Sequence, residues 1–448
     1  MKRPDLTTLL IPFVYFIAGA SSLAGVATTF FYKDELHLTL EQLGILGSVA
    51  IIPWSIKPIY GILSDRVPLR GLRRKPYLIL SGFLGSIGYL SLATWVDGFW
   101  GVLIAELISA LGFAMADVIV DGIVAERSSS HKAAGKLQSI CRAAIMTGAL
   151  VVAYSSGVLT ESIGARRVFL LTATLPLFTS LIAIFLKELP MEIAAWDWRQ
   201  TWANFKKALQ PAILWSALFL FIWRSTPTSG GAFSYYLIDE LHFDPEFFGT
   251  LAVISRFMGI AGVLIFRKWL ILIPLKRLLF GIVIASIVLR LPSLGLIYGW
   301  YAVLGVSPKF FAMADTLISA PLTEIGFLPL LVLVARICPK GIEATVFAVL
   351  ASIMNIGLAI SDMGGAMLVH LFDVHQATSL VSDVAGDLPT IIPANYANLD
   401  KVLWIAILSS VLPLPLLPFL PETRAEEEIR ERGIPSGIEA QIEGAPIA

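Results

Sequence analysis

Charge is scarce in this 448-residue sequence: 15% of it is Asp, Glu, Lys or Arg, and 33 basic side chains balance 33 acidic ones. A neutral chain has no basic surface to offer, so no nucleic-acid partner is expected. There are two cysteines, Cys141 and Cys338, both in or at the end of apolar runs, and they form neither a metal-ligand spacing nor a disulfide framework. The five histidines (His37, His131, His242, His370, His375) are scattered at run ends without ligand spacing, so no metal is expected. No Gly-rich phosphate cradle followed by Lys is present, and Ser, Cys and His never form a local nucleophile pattern. The sequence therefore carries no enzyme signature and implies no cofactor.

What it has in abundance is apolar surface: 56% hydrophobic residues and a mean hydropathy of +0.79. No water-soluble fold has an interior that could hide so much, so the solvent must be lipid and the fold an all-α integral membrane one. Apolar runs of spanning length lie near 7–31, 41–63, 77–96, 99–125, 134–160 and 166–187, then near 212–238, 246–267, 275–298, 309–337, 342–372 and 399–420. The first is too long for a signal-peptide core and no small-residue cleavage site follows it, so it is expected to stay as a span. Twelve transmembrane helices in two sets of six are predicted. The expected division is a six-helix bundle over 1–190, a linker over 191–210, a second bundle over 211–421 and a disordered tail over 422–448. Alternate loops carry the Lys and Arg (66–75, 127–136, 199–207, 267–277, 336–340), and both termini fall on that side. The positive-inside rule makes this a multi-pass protein of the cell membrane with N- and C-termini in the cytoplasm.

The most distinctive stretch is KPIYGILSDRVPLRGLRRKPY, Lys57 to Tyr77. Gly61, Asp65 and Arg66, followed by Arg73, Arg74 and Lys75, resemble the loop signature between the second and third helices of the major facilitator superfamily; the plainer reading is a basic loop that sets topology. The inserted Val67-Pro68-Leu69-Arg70 departs from the superfamily's tight form. An internal repeat points the same way. Phe30-Phe31-Tyr32-Lys33-Asp34-Glu35-Leu36-His37 returns as Tyr235-Tyr236-Leu237-Ile238-Asp239-Glu240-Leu241-His242, with Asp34 and Asp239, like Gly44 and Gly249, 205 residues apart. Phe113-Ala114-Met115-Ala116-Asp117 returns as Phe311-Ala312-Met313-Ala314-Asp315 at an offset of 198. A parallel repeat of two six-helix halves is the superfamily's architecture, with a site between them near the bilayer midplane.

Longer matches sharpen the resemblance. The Lys57–Tyr77 stretch with its Val-Pro-Leu spacing, Ala116-Asp117-Val118-Ile119-Val120-Asp121-Gly122, Asp244-Pro245-Glu246-Phe247-Phe248-Gly249, Cys338-Pro339-Lys340-Gly341 and Ser352-Ile353-Met354-Asn355 resemble the folate–biopterin transporter family. The resemblance covers nearly all of the chain except the tail. It implies transport of folates or other pterins as small-molecule substrates. It also implies that Asp65 and the basic cluster act as a cytoplasmic gate, for which the N-terminus of the eleventh helix near Gly341 would supply a positive dipole end.

Ionisable residues at bilayer depth usually face a cavity or a partner. Glu106, Asp117 and Asp121 share one face of the fourth span, and Arg224 sits in a seventh span interrupted by Pro227 and Gly230-Gly231. Arg224 and Arg256 suit a carboxylate tail. Asp117 and Asp315 suit the donor edge of a pterin, and Trp54 and Tyr236 suit its ring faces. Asp117 and Asp121 are the candidates for proton coupling, although pairing with Lys57 or Arg142 would equally make them tolerable in the membrane. The expectation is a secondary carrier acting as a monomer in the lipid bilayer. The alternatives are a carrier of another organic anion or amphipathic drug, and a non-transporting receptor or scaffold.

Overall fold

Lipid supplies no hydrogen-bond partners for the backbone, so a chain this apolar satisfies its own amides as helices. The computed structural model describes residues 6–127, 131–188, 206, 210–337, 343–380 and 390–420. Among these, nine helices are long and apolar enough to cross a membrane: Leu10–Glu35, Leu40–Arg66, Lys75–Thr94, Phe99–Val124, Ser139–Ile163, Ala165–Phe185, Lys276–Ile297, Ala348–Leu371 and Leu399–Phe419. They take the places of spans one to six, nine, eleven and twelve. Three further elements fill the places of spans seven, eight and ten without meeting that test: the pair Pro211–Ser225 and Ala232–Asp239, then Pro245–Leu272 and Pro308–Ile337. The expected linker, apart from residues 206 and 210, lies outside the described residues, as do the tail, Cys338 and Gly341.

The seventh span breaks at residues 226–231, where Pro227 and Gly230-Gly231 predict an interruption. The carbonyl freed at Thr226 accepts from the Ser361 hydroxyl of the eleventh span at 2.6 Å, so the break costs no unsatisfied group there. One element has no counterpart in the apolar pattern. Thr378–Leu380 and Thr390–Ile392 pair as a short antiparallel hairpin between spans eleven and twelve.

The repeat is structural as well as sequential. His37 (φ 48°) and His242 (φ 53°) both adopt the left-handed conformation, uncommon outside glycine, just past the first and seventh spans. Behind each, the next amide reaches back six residues: Leu38 N donates to Tyr32 O at 2.8 Å and Phe243 N to Leu237 O at 3.0 Å. That is the same left-handed helix stop with a wide closing bond, used twice at the offset of 205. Asp244 then caps the eighth span by accepting from Phe247 N at 2.7 Å and also takes the Lys309 ammonium. Burial pushes the Asp244 carboxyl up, but these two bonds outweigh it and hold the group below its usual range.

Small residues set the helix–helix distances, as is usual where lipid removes the hydrophobic drive between helices. A Cβ on Gly148 of the fifth span would stand 2.2 Å from the Phe16 carbonyl of the first. The two halves of the chain meet chiefly through the second and eleventh spans and the fifth and eighth. Ser48 donates to Ala359 O at 2.8 Å, and Asn355 donates to Trp54 O at 2.8 Å. A Cβ on Gly157 would lie 2.3 Å from the Pro245 carbonyl. An apolar cluster at the end of the molecule away from the 66–75 loop, called the far side below, also crosses the halves. It joins Leu40 and Leu43 to Tyr235, Val369, Tyr396 and Val402.

A test follows from the first–fifth contact. Gly148→Ala forces two backbones apart inside one bundle and is expected to cost about 1–3 kcal/mol of stability, the usual scale of overpacking. A melt of the purified protein in detergent measures it, and an unchanged midpoint would show that the two helices are not in fixed contact.

Candidate functional site

The fourth span, Phe99–Arg127, carries Glu106, Asp117 and Asp121 along its apolar length, and each of these three meets a side chain from the first or second span. Tyr32 donates its hydroxyl to Glu106 at 2.6 Å, Lys57 donates to Asp117 at 2.6 Å, and Tyr15 donates to Asp121 at 2.5 Å. Asp117 and Asp121 are one helical turn apart, so their partners form a short ladder across the bundle. Lys57 also lies over the Trp54 ring, 4.7 Å from its centroid. The pairing of Asp117 with Lys57, left open by the sequence, is thus what the structure shows. Arg142 takes no part in it. Tyr15 was not singled out by sequence; a tyrosine in an apolar run gives no signal until its partner is known.

Arg142 points elsewhere. A cavity of about 220 Å³ lies between the first, fifth and eighth spans, lined by Gly19, Ser22, Arg142, Ile145, Arg256 and Ile260 among others. Arg142 and Arg256 are both exposed to it, and neither guanidinium has an ion-pair or hydrogen-bond partner among the described residues. A narrower space of about 50 Å³ shares Ala18 and Ile145 with this cavity and is walled by Tyr15, Trp54, Phe113 and Asp117. A larger open groove of about 400 Å³ between the eighth and tenth spans is lined by Ser255, Thr316, Ser319 and apolar residues only. Size alone favours that groove, but a ligand in a membrane cavity is held by its charges, and they face the smaller pair.

The remaining candidates are spread through the second half. Arg224 packs its Cβ where the Cβ of Gly357 would be and feels the charge of Asp362 on the eleventh span; its Nε is buried without a hydrogen-bond partner. The sequence showed no acid near Arg224 in its own span, and the neighbour comes from another helix. Asp315 has a buried Oδ1 with no donor. Tyr236 belongs to far-side packing, stacked on Phe233, edge-on to Tyr396, with its hydroxyl donating to Leu296 O at 3.4 Å.

At the basic loop, Asp65 pairs with Arg74 at 2.7 Å and lies 3.7 Å from Arg73. Arg74 also donates to Ser64 at 2.7 Å, and its guanidinium lies against Gly122 of the fourth span. The inserted spacing folds into a tight turn: Leu69 and Leu72 exchange both backbone bonds, with Arg70 (φ 56°) and Gly71 (φ 77°) at the tip. Positive φ at both tip residues is the signature of a type I′ turn. Glu188, missed in the sequence, accepts from the amides of Arg73, Arg74 and Lys75 at 2.8–3.1 Å, an anion seated on the N-terminus of the third span. Lys75 answers by donating to Ile184 O at the end of the sixth, at 2.6 Å. A Cβ on Gly61 would meet only Val118 of its own half. The expected contact of Asp65 with the start of the eleventh span near Gly341 falls outside the described residues.

The far side has a charge pair that joins the halves. Lys33, nearly buried, contacts Asp239 at 2.5 Å and Asp34 at 3.3 Å, and Tyr396 donates to the other oxygen of Asp239 at 2.6 Å. Asp34 and Asp239 are the repeat-related positions, so one lysine is shared between the two copies of one motif. Gln376 adds a buried bond to Leu38 O at 2.9 Å across the same seam.

Helices arranged in this order, with the second and eleventh spans crossing between halves and a charged cavity beside the first and fifth, define a transporter of the major facilitator superfamily fold. The crystal structure of the D-xylose–proton symporter has this fold, with a TM-score of 0.68 over 94% of this chain and 98% of that one at 16% identity. The sequence model of the BT1 family matches residues 18–436, and the chain belongs to that family. It is 35% identical to the folate-biopterin transporter of Synechocystis sp., over 94% of this chain and 83% of the relative. It is 26% identical to folate transporter 2 of Plasmodium falciparum, over 97% and 92%. The family and these relatives are transporters, not enzymes, and the chain is a multi-pass membrane transporter.

The Lys57–Asp117 pair supplies a test. Lys57→Met leaves a half-buried carboxylate without its cation, a change that costs up to about 3–5 kcal/mol, whereas removing both charges is often nearly neutral. Lys57→Met should lower the melting midpoint and Lys57→Met/Asp117→Leu should recover most of the loss. Additive losses would show the two side chains are not coupled.

Proposed function

We propose that the chain carries folates or related pterins across the cell membrane by alternating access, coupled to protons. The observation that carries this reading is the wall of Trp54, Phe113, Tyr15 and Asp117 adjoining a cavity with two free arginines. Trp54 and Phe113 offer π-faces to a bicyclic ring, and a carboxylate suits the paired N–H donors of a pterin edge. The space beside Trp54 is smaller than such a ring, so in this reading binding widens it. Asp315, with an acceptor oxygen lacking a donor, is the second-half candidate for the same donors; Arg224 is an additional cation near the path, and Tyr236 a further stacking candidate. The printed names of the relatives support the substrate class. A carrier of another organic anion would use the same arginines but leave the aromatic and acidic wall without a task.

In the same reading, residues 1–190 and 211–421 are the two moving bodies, joined by 191–210, with both termini cytoplasmic and the protein acting as a monomer. The far side, held by Lys33, Asp239 and Tyr396, is then the closed outer gate. Gly61, Asp65, Arg66, Arg73, Arg74 and Lys75 form the cytoplasmic gate. Protonation of Asp117 or Asp121 would release Lys57 or weaken Tyr15, which ties proton uptake to the helices lining the site.

Two experiments test this. Asp239→Asn removes the charge that Lys33 and Tyr396 share, an interaction on the scale of about 1.5–3 kcal/mol for charged hydrogen bonds, hence roughly a tenfold or larger population shift. A cysteine placed at Leu43 should then react with an impermeant thiol reagent from outside several times faster, and an unchanged rate would refute the gate. Vesicles reconstituted with the protein should accumulate folate under an inward proton gradient. Asp117→Asn or Asp121→Asn should abolish that accumulation while sparing exchange of labelled for unlabelled folate. Undiminished gradient-driven uptake in both variants and in the double variant would remove proton coupling from these residues.

A further inference from the structure

Arg142 and Arg256 lie on different halves of the chain, on the fifth and eighth spans, and both line the same cavity of about 220 Å³. Glu106, Asp117 and Asp121 of the fourth span each already have a donor, and Arg224 has Asp362 as its charged neighbour. These two guanidiniums are therefore the uncompensated cations of the cavity, and they are like charges confined to one small space. Like charges at close range repel, and more so where protein and lipid lower the dielectric. A single monoanion would compensate one of them. A ligand with two carboxylates a few bonds apart compensates both, and each arginine can meet its carboxylate through two parallel N–H bonds.

We propose that Arg142 and Arg256 form a two-arginine clamp for a dicarboxylate such as the glutamyl end of a pteroylglutamate, and that this clamp makes such compounds preferred over pterins lacking a tail. The clamp rests on the pterin reading of the site for the identity of the ring, but the cationic pair stands independently of it. The geometry sets the direction of the bound molecule. The shared residues Ala18 and Ile145 put the clamp next to the Trp54–Asp117 wall, so the ring lies towards the second and fourth spans and the tail towards the fifth and eighth. Because one arginine belongs to each half, a dicarboxylate bridges the two bodies, whereas a tail-less pterin touches mainly the first. The longer ligand then biases the halves towards each other by its differential contact with the closed arrangement.

The test is binding to the purified full-length protein in nanodiscs by titration calorimetry, with folate, pteroate, biopterin and N-acetylglutamate as probes. In the unaltered protein folate should bind more tightly than pteroate, and pteroate more tightly than biopterin. Arg142→Gln and Arg256→Gln should each weaken folate by roughly 10–100-fold, the equivalent of one charged hydrogen-bonded pair, and leave biopterin nearly unchanged. Arg142→Lys and Arg256→Lys keep the charge and lose the fork; they should fall between, and they serve where a Gln variant does not fold. Equal weakening of folate and biopterin, or no weakening of either, overturns the clamp. Arginine-dependent binding of N-acetylglutamate without binding of any pterin supports the clamp and overturns the pterin reading of the site. An unaltered protein that binds neither pterins nor N-acetylglutamate overturns both.

Discussion

A carboxylate in a hydrocarbon layer must meet a donor or a cation, and the fourth span brings three of them into the middle of the first half. Much of the first bundle follows from meeting that demand. Tyr32 and Tyr15 come from the first span and Lys57 from the second, so three helices are held in rotation by three bonds. That rotation also determines what is left over. With Lys57 committed to Asp117, Trp54 is held beneath its ammonium as part of a cavity wall, and Arg142 has no acid paired with it among the described residues. The cation that was a candidate for structural pairing is left, with Arg256, lining the cavity.

The repeat shows where the two halves were kept alike and where they were not. The helix stops at His37 and His242 are the same backbone device. The Phe-Ala-Met-Ala-Asp motif recurs, yet its two aspartates have different surroundings. Asp117 has Lys57, whereas the position 205 residues beyond Lys57 is Gly262, which packs closely on Pro321 instead. Asp315 has an acceptor oxygen that no donor among the described residues reaches. Fold symmetry is thus retained in backbone geometry and broken in charge, which is what a site needs if its two sides are to contact different ends of one molecule.

Much of this was legible before any coordinates. Spans are set by apolar length, a one-dimensional property, and the break in the seventh span by Pro227 and Gly230-Gly231, whose backbone restrictions are local. The acidic face of the fourth span follows from helical period. The choice between pairing and exposure does not, because it depends on which helix stands opposite. Arg224 looked isolated because its acid is on the eleventh span, and whether Lys57 or Arg142 meets the acids of the fourth span stayed open for the same reason. Glu188 on the third span's N-terminus and the Thr378–Ile392 hairpin were invisible for a related reason. A capping carboxylate and a three-residue strand have no period to detect.

The placement of the polar contacts between halves carries the last step. On the far side the seam is closed by Lys33, Asp239, Tyr396 and Gln376, with Leu40 and Leu43 completing an apolar cluster over it. Towards mid-depth the contacts thin to single bonds such as Asn355 to Trp54, and the next feature is the cavity with its two arginines. An ion pair can hold a seam shut without making it permanent, because its partners regain water when they separate, and the desolvation each suffered on pairing is returned. A purely apolar seam has no such recovery. Lys33, shared between Asp34 and Asp239, is able to keep one acid when it loses the other. In the alternating-access reading proposed above, the lysine would then not stand bare when the far side opens, and a bound ligand with differential contacts would have less to overcome in tipping the two arrangements.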